Sequence, residues 1–115
     1  MLSHFAPGQK LNLNLLEPIS RTLINEEGLE VLCLALTAGK KIPTHAVDAW
    51  VQIQGLAGVF AVNMESQRLN IAAGEMVLLA PGQPHSVECR QTGRLLVNLL
   101  KNRSYSKKQM KDVVF

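Results

Sequence analysis

The sequence predicts an all-β fold, either a sandwich or a barrel, on three observations. Short stretches of alternating or apolar strand-forming residues recur at close spacing, glycine- and proline-rich turns separate them, and little of the chain has helical character. With 115 residues, 47% of them hydrophobic, the chain can bury a core as a single domain. We therefore expect one domain over residues 1–115, with an N-terminal arm over about 1–15 and a basic C-terminal tail or short helix over about 102–115.

Turn residues divide the chain into about eight or nine predicted strands. These strands cover residues 19–24, 29–36, 42–45, 48–54, 58–62, 68–71, 76–80, 85–90 and 94–100. Gly55 is predicted to end one strand, and Thr92-Gly93 is predicted to form a turn between two others. The stretch 76–80 is apolar throughout, so we expect it to be buried on nearly both faces.

Composition excludes several classes of function. The net charge of +3 comes mostly from the C-terminal residues, which lack the interleaved aromatic residues typical of a nucleic-acid site. No apolar run is long enough to cross a membrane and the N-terminus lacks the pattern of a signal peptide, so we expect a cytoplasmic protein without nucleic-acid or membrane partners. Cys33 and Cys89 lie in apolar stretches and are expected to be buried free thiols.

Motifs for common catalytic chemistries are missing from the sequence. It contains no G-x-S-x-G, P-loop, C-x-x-C or dinucleotide-binding glycine motif, and no persuasive pair of carboxylates for acid–base work. Ser86 and His85 are neighbours in a strand and point to opposite faces, so they do not form a catalytic pair. No catalytic residue is assigned on this basis.

The stretch Gly74–His85 has the strongest pattern in the chain: a turn, an apolar strand, a second turn and a histidine at the head of another strand. Pro84 fixes the corner before His85 and therefore its direction. The spacing of Gly74, Gly82 and His85 resembles the second motif of the cupins, with Ala80 where the proline usually stands. Gly39 followed after five residues by His45, with Gly55 after an extended run, resembles the first cupin motif.

The resemblance implies a single-domain double-stranded β-helix, that is, a jelly-roll or cupin barrel of the RmlC-like kind. For a metal-binding cupin, the resemblance also implies a set of metal ligands: two histidines and an acid from the first motif and one histidine from the second. Imidazole nitrogens with a carboxylate oxygen suit a divalent transition metal such as zinc, iron, nickel or manganese.

This chain departs from that ligand set. His45 and His85 match, but Val47 stands where a second histidine is usual. Asp48 matches the acid when counted back from Gly55 and comes too early when counted forward from His45, so the oxygen donor is either Asp48 or Gln52. Strand parity does not settle which face of 48–54 points inward. Trp50, Gln52 and Met76 are the expected residues of a ligand pocket, with packing as the alternative role of Trp50 and Met76.

Three functions follow from these expectations. The first is a cupin barrel that binds a divalent metal, a small polar ligand or both inside the barrel. The second is a metal-dependent dioxygenase, isomerase or lyase acting on a small polar substrate. The third is a regulatory or structural dimer module without a metal. A small β-domain with strand edges to cover also leads us to expect a homodimer.

Overall fold

The computed structural model describes residues 6–101 of the chain. Seven strands account for most of this part, and the only helix in it is a 3-10 turn at Leu13–Leu15. The strands are β1 Arg21–Glu26, β2 Leu29–Leu36, β3 Lys41–His45, β4 Trp50–Met64, β5 Arg68–Ala72, β6 Met76–Leu79 and β7 His85–Leu100. The predicted all-β fold is confirmed. The predicted C-terminal tail or helix over 102–115, and the first five residues of the arm, lie outside the described residues.

Two long strands, β4 and β7, pair with each other and connect the two sides of the barrel. The first half-sheet has the strand order β1-β2-β7-β4-β6. It contains the C-terminal part of β7 and the N-terminal part of β4. The second half-sheet has the strand order β3-β7-β4-β5 and contains the other ends of β7 and β4. All these pairings are antiparallel. Inward-facing residues of both half-sheets, such as Ile53 and Val62, belong to one buried cluster, so the two half-sheets enclose one interior.

The predicted breaks at Gly55 and Thr92-Gly93 are wrong, because β4 and β7 run through them without interruption. The backbones approach closely there, and a Cβ atom added at Gly55 would overlap the Ala72 carbonyl. The same addition at Gly93 would overlap the carbonyl of Ala57. The β4–β7 register also shifts in this region. The glycines therefore let the strands bend from one half-sheet into the other rather than end.

The prediction that residues 76–80 are buried on nearly both faces is also wrong. Val77 and Leu79 of β6 point inward, whereas Met76 and Leu78 are 60% and 58% exposed on the outer face. Successive strand residues point to opposite sides, and nothing in the described chain covers this part of the outer face. An apolar run alone does not distinguish a covered strand from one with an open apolar face.

The core has two parts. The larger part fills the barrel interior, and its fully buried members include Phe60, Val62, Leu79 and Leu95. The smaller part lies on the outer face of the first half-sheet, where Leu23, Val31 and Cys33 are buried under the arm residues Leu11, Leu13 and Leu16.

Arg94 fastens this arm to the sheet. Its Nη1 donates hydrogen bonds to the carbonyl oxygens of Leu13 and Leu16, at 2.9 and 3.3 Å. The described part of the arm therefore lies against the body of the same chain. Among the described residues there is no helix long and apolar enough to span a membrane.

Candidate functional site

A cavity of about 230 Å³ lies between the inner faces of the two half-sheets. Its walls are aliphatic except for Glu30, His45 and His85. The aliphatic lining residues are Leu32, Leu34, Ile42, Val47, Val51, Ile53, Val87, Leu95, Val97 and Leu99. Glu30 is occupied by an ion pair in which its Oε1 lies 2.6 Å from Nζ of Lys101. The two histidines are therefore the remaining polar groups of the described lining.

His45 and His85 are direct cross-strand partners on β3 and β7. Their ring centroids are 4.4 Å apart and the ring planes are tilted by 54°. His85 is buried, whereas His45 is exposed at the cavity mouth. The two rings thus lie side by side at one end of the cavity, instead of facing each other across it, and a small ligand can contact both.

Local backbone geometry fixes the tautomer of both histidines. Nδ1 of His45 lies 2.9 Å from the carbonyl oxygen of Pro43, and Nδ1 of His85 lies 3.1 Å from that of Gln83. A carbonyl oxygen only accepts hydrogen bonds, so each Nδ1 carries a proton, and in the neutral form of either ring Nε2 carries the lone pair. This arrangement, with Nδ1–H held by a backbone carbonyl, is the one that orients histidine for metal binding through Nε2.

Burial favours the neutral form of His85. Loss of solvation lowers the pKa of His85 below its ordinary value, and the neighbouring His45 lowers it further, while the hydrogen bond to the Gln83 carbonyl opposes the shift. The imidazole of His85 is therefore uncharged at neutral pH. An uncharged ring can accept a hydrogen bond or bind a metal ion at Nε2.

The structure does not bring the predicted oxygen donors to the histidines. Asp48 is exposed in the loop before β4, takes part in an interaction of its own, and does not line the cavity. Gln52 lies on the outer face of β4, because Val51 and Ile53 are the residues that point into the cavity. Residues 6–101 contain no group of three or more His, Cys, Asp or Glu able to hold a metal ion.

The three predicted pocket residues line a different depression. Trp50, Gln52 and Met76 lie together in a groove of about 250 Å³ on the outer face of the first half-sheet. Gln52 is held there by its neighbours: its Nε2 donates to Sδ of Met76, at 2.8 Å, and its Oε1 accepts from Nδ2 of Asn98, at 2.9 Å. This groove and the cavity that the histidines line are on opposite faces of the first half-sheet.

Most of the cavity lining was not singled out from the sequence. Leu32 and Leu34 of β2 and Val97 and Leu99 of β7 form walls, but aliphatic side chains carry no chemical signal of a site. Strand alternation was the available signal: once His85 is placed inward, Val87 and the later odd-numbered residues of β7 follow it. This alternation extends to Val97 and Leu99 only if β7 is continuous through Gly93, where the sequence had predicted a turn.

Comparison with solved structures gives high similarity over most of the chain. A conserved protein of unknown function from Streptococcus pyogenes has a TM-score of 0.76 and 20% identity, with 90% of this chain and 98% of that chain covered. A cupin superfamily protein from Desulfitobacterium hafniense has a TM-score of 0.77 and 13% identity, with 89% and 99% covered. The DMSP lyase DddQ from Ruegeria pomeroyi has a TM-score of 0.67 and 21% identity, with 86% and 55% covered.

These similarities define the fold: the chain has the cupin-barrel fold, which the cupin-2 and RmlC-like proteins among its structural neighbours share. The resemblance found in the two sequence motifs is thereby confirmed at the level of the fold. Models of known protein families gave no match, and neither did curated protein sequences.

Proposed function

We propose that the protein binds a small molecule inside the barrel, with the polar head of the ligand at His45 and His85 and its body against the aliphatic walls. The observation that supports this function is the pairing of two fixed imidazoles at one end of a cavity whose other walls, apart from the ion-paired Glu30, are aliphatic. Ligand sites are commonly apolar clefts with a few convergent polar groups. The cavity is smaller than the roughly 300–1,000 Å³ of drug-sized sites, so the ligand is a small one.

The two histidines determine which functional group the polar head of the ligand must carry. In the tautomer fixed by Pro43 and Gln83, both Nε2 atoms are hydrogen-bond acceptors. A neutral ligand therefore needs an O–H or N–H donor next to an apolar body. A charged, fully polar molecule would leave its polar groups unpaired against aliphatic walls, at a cost of about 1–3 kcal/mol for each group.

A divalent transition metal is a second candidate for the same position. The two Nε2 atoms would supply two of its ligands, and water or a bound small molecule would fill the other positions. Two protein ligands hold a metal less tightly than the three usual in catalytic zinc sites. A bound metal would supply Lewis acidity toward a substrate oxygen. The similarity of the fold to a DMSP lyase, and open positions beside a cavity, favour a dioxygenase, isomerase or lyase within this alternative.

The ligand proposal is tested with phenol and toluene, which have similar rings but differ in the presence of a donor group. We expect phenol to bind at least about tenfold more tightly than toluene, since one satisfied acceptor contributes about 1.4 kcal/mol. Isothermal calorimetry measures both affinities. The double variant His45→Ala/His85→Ala, which removes both acceptors, should remove most of the difference. Equal affinities for the two probes in the wild-type protein would contradict the assigned role of the histidines.

The metal alternative is tested by thermal unfolding with Zn²⁺, Ni²⁺ and Mn²⁺. At a free metal concentration about a hundredfold above the Kd, metal binding adds about 2.7 kcal/mol to the free energy of unfolding. His45→Ala and His85→Ala should each abolish the increase, whereas the outer-face control Gln52→Ala should retain it. A Kd weaker than about 100 µM, or an unchanged increase in both histidine variants, would argue against a metal enzyme at this site.

A further inference from the structure

Glu30 interrupts the apolar pattern on the inner face of β2. Alternate residues of this strand point into the barrel, and the next two inward residues, Leu32 and Leu34, are aliphatic. The residues between them, Val31 and Cys33, are buried on the outer face. Glu30 is the one carboxylate in the described lining of the cavity, and its side chain is only 24% exposed. A carboxylate in this position needs a partner, because its removal from water is costly.

The partner of Glu30 leaves part of the carboxylate free. Nζ of Lys101 lies 2.6 Å from Oε1 of Glu30, and among the described residues Lys101 is the only one that bonds to this carboxylate. An ionised carboxylate has two oxygens and about four lone pairs that accept hydrogen bonds. Lys101 is not among the residues that line the cavity, and its side chain is 49% exposed. The ammonium therefore reaches Glu30 from the solvent side, and the carboxylate is the charged group that the cavity wall presents.

The polar atoms of the described lining are acceptors on two different walls. Glu30 belongs to the first half-sheet through its pairing with Leu99, whereas His45 and His85 pair with each other on the second half-sheet. Both Nδ1–H groups are held by backbone carbonyls, so the neutral rings offer Nε2 as an acceptor. An ionised carboxylate also only accepts. A ligand that satisfies both walls therefore needs a donor group at each end of its apolar body.

We propose that the ligand of the cavity is a small amphiphilic amine, with a hydroxyl group at His45 and His85 and a primary ammonium group at Glu30. This inference rests on the proposed binding of a small molecule in the cavity. An ammonium fits Glu30 better than a neutral donor, because hydrogen bonds between ionised groups are the stronger kind. A ligand with a carboxylate or phosphate in the same place would meet a like charge. Simple amino alcohols and aminoalkyl phenols have the required groups.

Lys101 is placed so that such a ligand can displace it. Its backbone N–H donates to the carbonyl oxygen of Gly28 at 2.8 Å, which fixes the main chain at the end of β7. The ammonium itself is at the end of a flexible four-carbon side chain. Because exposed ion pairs contribute little to stability, this ammonium can return to water at a small cost. Lys101 thus keeps Glu30 paired when no ligand is bound and gives way to the ligand ammonium.

The test is isothermal calorimetry with three phenols that differ at one end. Tyramine and para-ethylphenol share the phenol ring and the two-carbon chain, and only tyramine carries an amine, which is protonated at pH 7. We expect tyramine to bind the wild-type protein at least about tenfold more tightly than para-ethylphenol, because it adds a charged hydrogen bond to Glu30. The third probe, para-hydroxyphenylacetate, carries a carboxylate and should bind more weakly than para-ethylphenol.

Three variants assign the preference to Glu30. Glu30→Gln should lose the roughly tenfold advantage of tyramine and change the affinity for para-ethylphenol by less than about twofold, because only the charge is removed. Glu88→Gln is the matched control: Glu88 is 26% exposed and ion-paired with Arg68 and Arg90, but it lies on the outer face of the second half-sheet. This variant should keep the preference. Lys101→Gln should bind tyramine more tightly than the wild type does, since the competing ammonium is gone.

The outcomes separate this inference from the proposed function of the cavity. Binding of para-ethylphenol without tighter binding of tyramine overturns the role of Glu30 and leaves the small-molecule site intact. Failure of all three phenols to bind overturns the proposed function and this inference with it. A preference for tyramine that survives in Glu30→Gln, or tighter binding of para-hydroxyphenylacetate than of tyramine, also contradicts an ammonium site at Glu30.

Discussion

Gly93 on β7 crosses Ala57 on β4 so closely that a Cβ atom at Gly93 would overlap the Ala57 carbonyl oxygen. The neighbouring atoms at this crossing are backbone atoms of Ala57 and Gly58, which cannot rotate away as a flexible side chain could. The crossing is where both long strands pass from one half-sheet to the other. It is therefore a point at which a single methyl group disturbs both sides of the barrel.

We expect Gly93→Ala to lower the free energy of unfolding by about 3 kcal/mol, at the upper end of the usual cost of overpacking. Gly39→Ala is the control: Gly39 has a φ of +92° with open space around it, so its loss should be about 1 kcal/mol from backbone strain alone. Urea unfolding measures both. If the two variants lose the same amount, the close crossing of β4 and β7 is not a determinant of stability.

Stability should fall as the pH is lowered through the range in which unfolded histidine titrates. Burial lowers the pKa of His85 in the folded chain, so between that pKa and about 6.5 the unfolded chain binds more protons than the folded chain. The contribution of His85 is therefore intact above about pH 6.5 and is progressively lost below it. The midpoint of thermal unfolding, measured from pH 8 to 5.5, should decline less steeply in His85→Gln than in the wild type. Parallel curves would show that His85 is not responsible.

Arg94 should hold the N-terminal arm in place. Arg94→Ala removes two hydrogen bonds from a charged donor to the carbonyls of Leu13 and Leu16, so we expect a loss of about 2 kcal/mol. Hydrogen exchange should accelerate over residues 11–16 in particular. Arg90→Ala is the matched control on the same strand, since its partly exposed ion pair with Glu88 contributes less than about 0.5 kcal/mol. Unchanged exchange in the arm of Arg94→Ala would contradict this role.

The two cysteines should be unreactive in the folded protein. Cys33 and Cys89 are buried free thiols, as the sequence led us to expect, and burial raises the pKa of each thiol above its ordinary value. The thiolate is the reactive form, so a thiol reagent at pH 8 should modify neither residue within minutes and should modify both after unfolding in urea. Rapid reaction of one thiol in the native protein would show that its strand opens locally.

The sequence predicted strand identity better than strand continuity. Leu29–Leu36 was predicted with the bounds that β2 has, because it is bounded by glycine and threonine turns and rich in strand formers. Gly55 and Gly93 were misinterpreted because a glycine signals a turn locally, whereas their role depends on a backbone that is distant in the chain. That long-range contact is not visible in the sequence around either glycine.

The two histidines of the candidate site could be predicted from the sequence, whereas its other residues could not. His45 and His85 could be paired through the spacing of their motifs. Gln52, Trp50 and Met76 were expected in the ligand pocket but lie on the outer face, since alternation gives two faces without saying which is inside. The packing of Val51 and Ile53 in the interior decides this, and it depends on the whole barrel.

Because β4 and β7 run through both half-sheets, few positions of the chain can gain or lose a residue during evolution. One residue inserted in the middle of β7 would reverse the orientation of every side chain beyond it, sending Leu99 outward and Leu100 inward. Insertions are tolerated better at the tip of the β4–β5 hairpin, over residues 65–67, than in the loop over 80–84, where the Gln83 carbonyl holds His85. Homologues should therefore differ in length at the β4–β5 turn and keep a constant number of residues from His85 to Leu100.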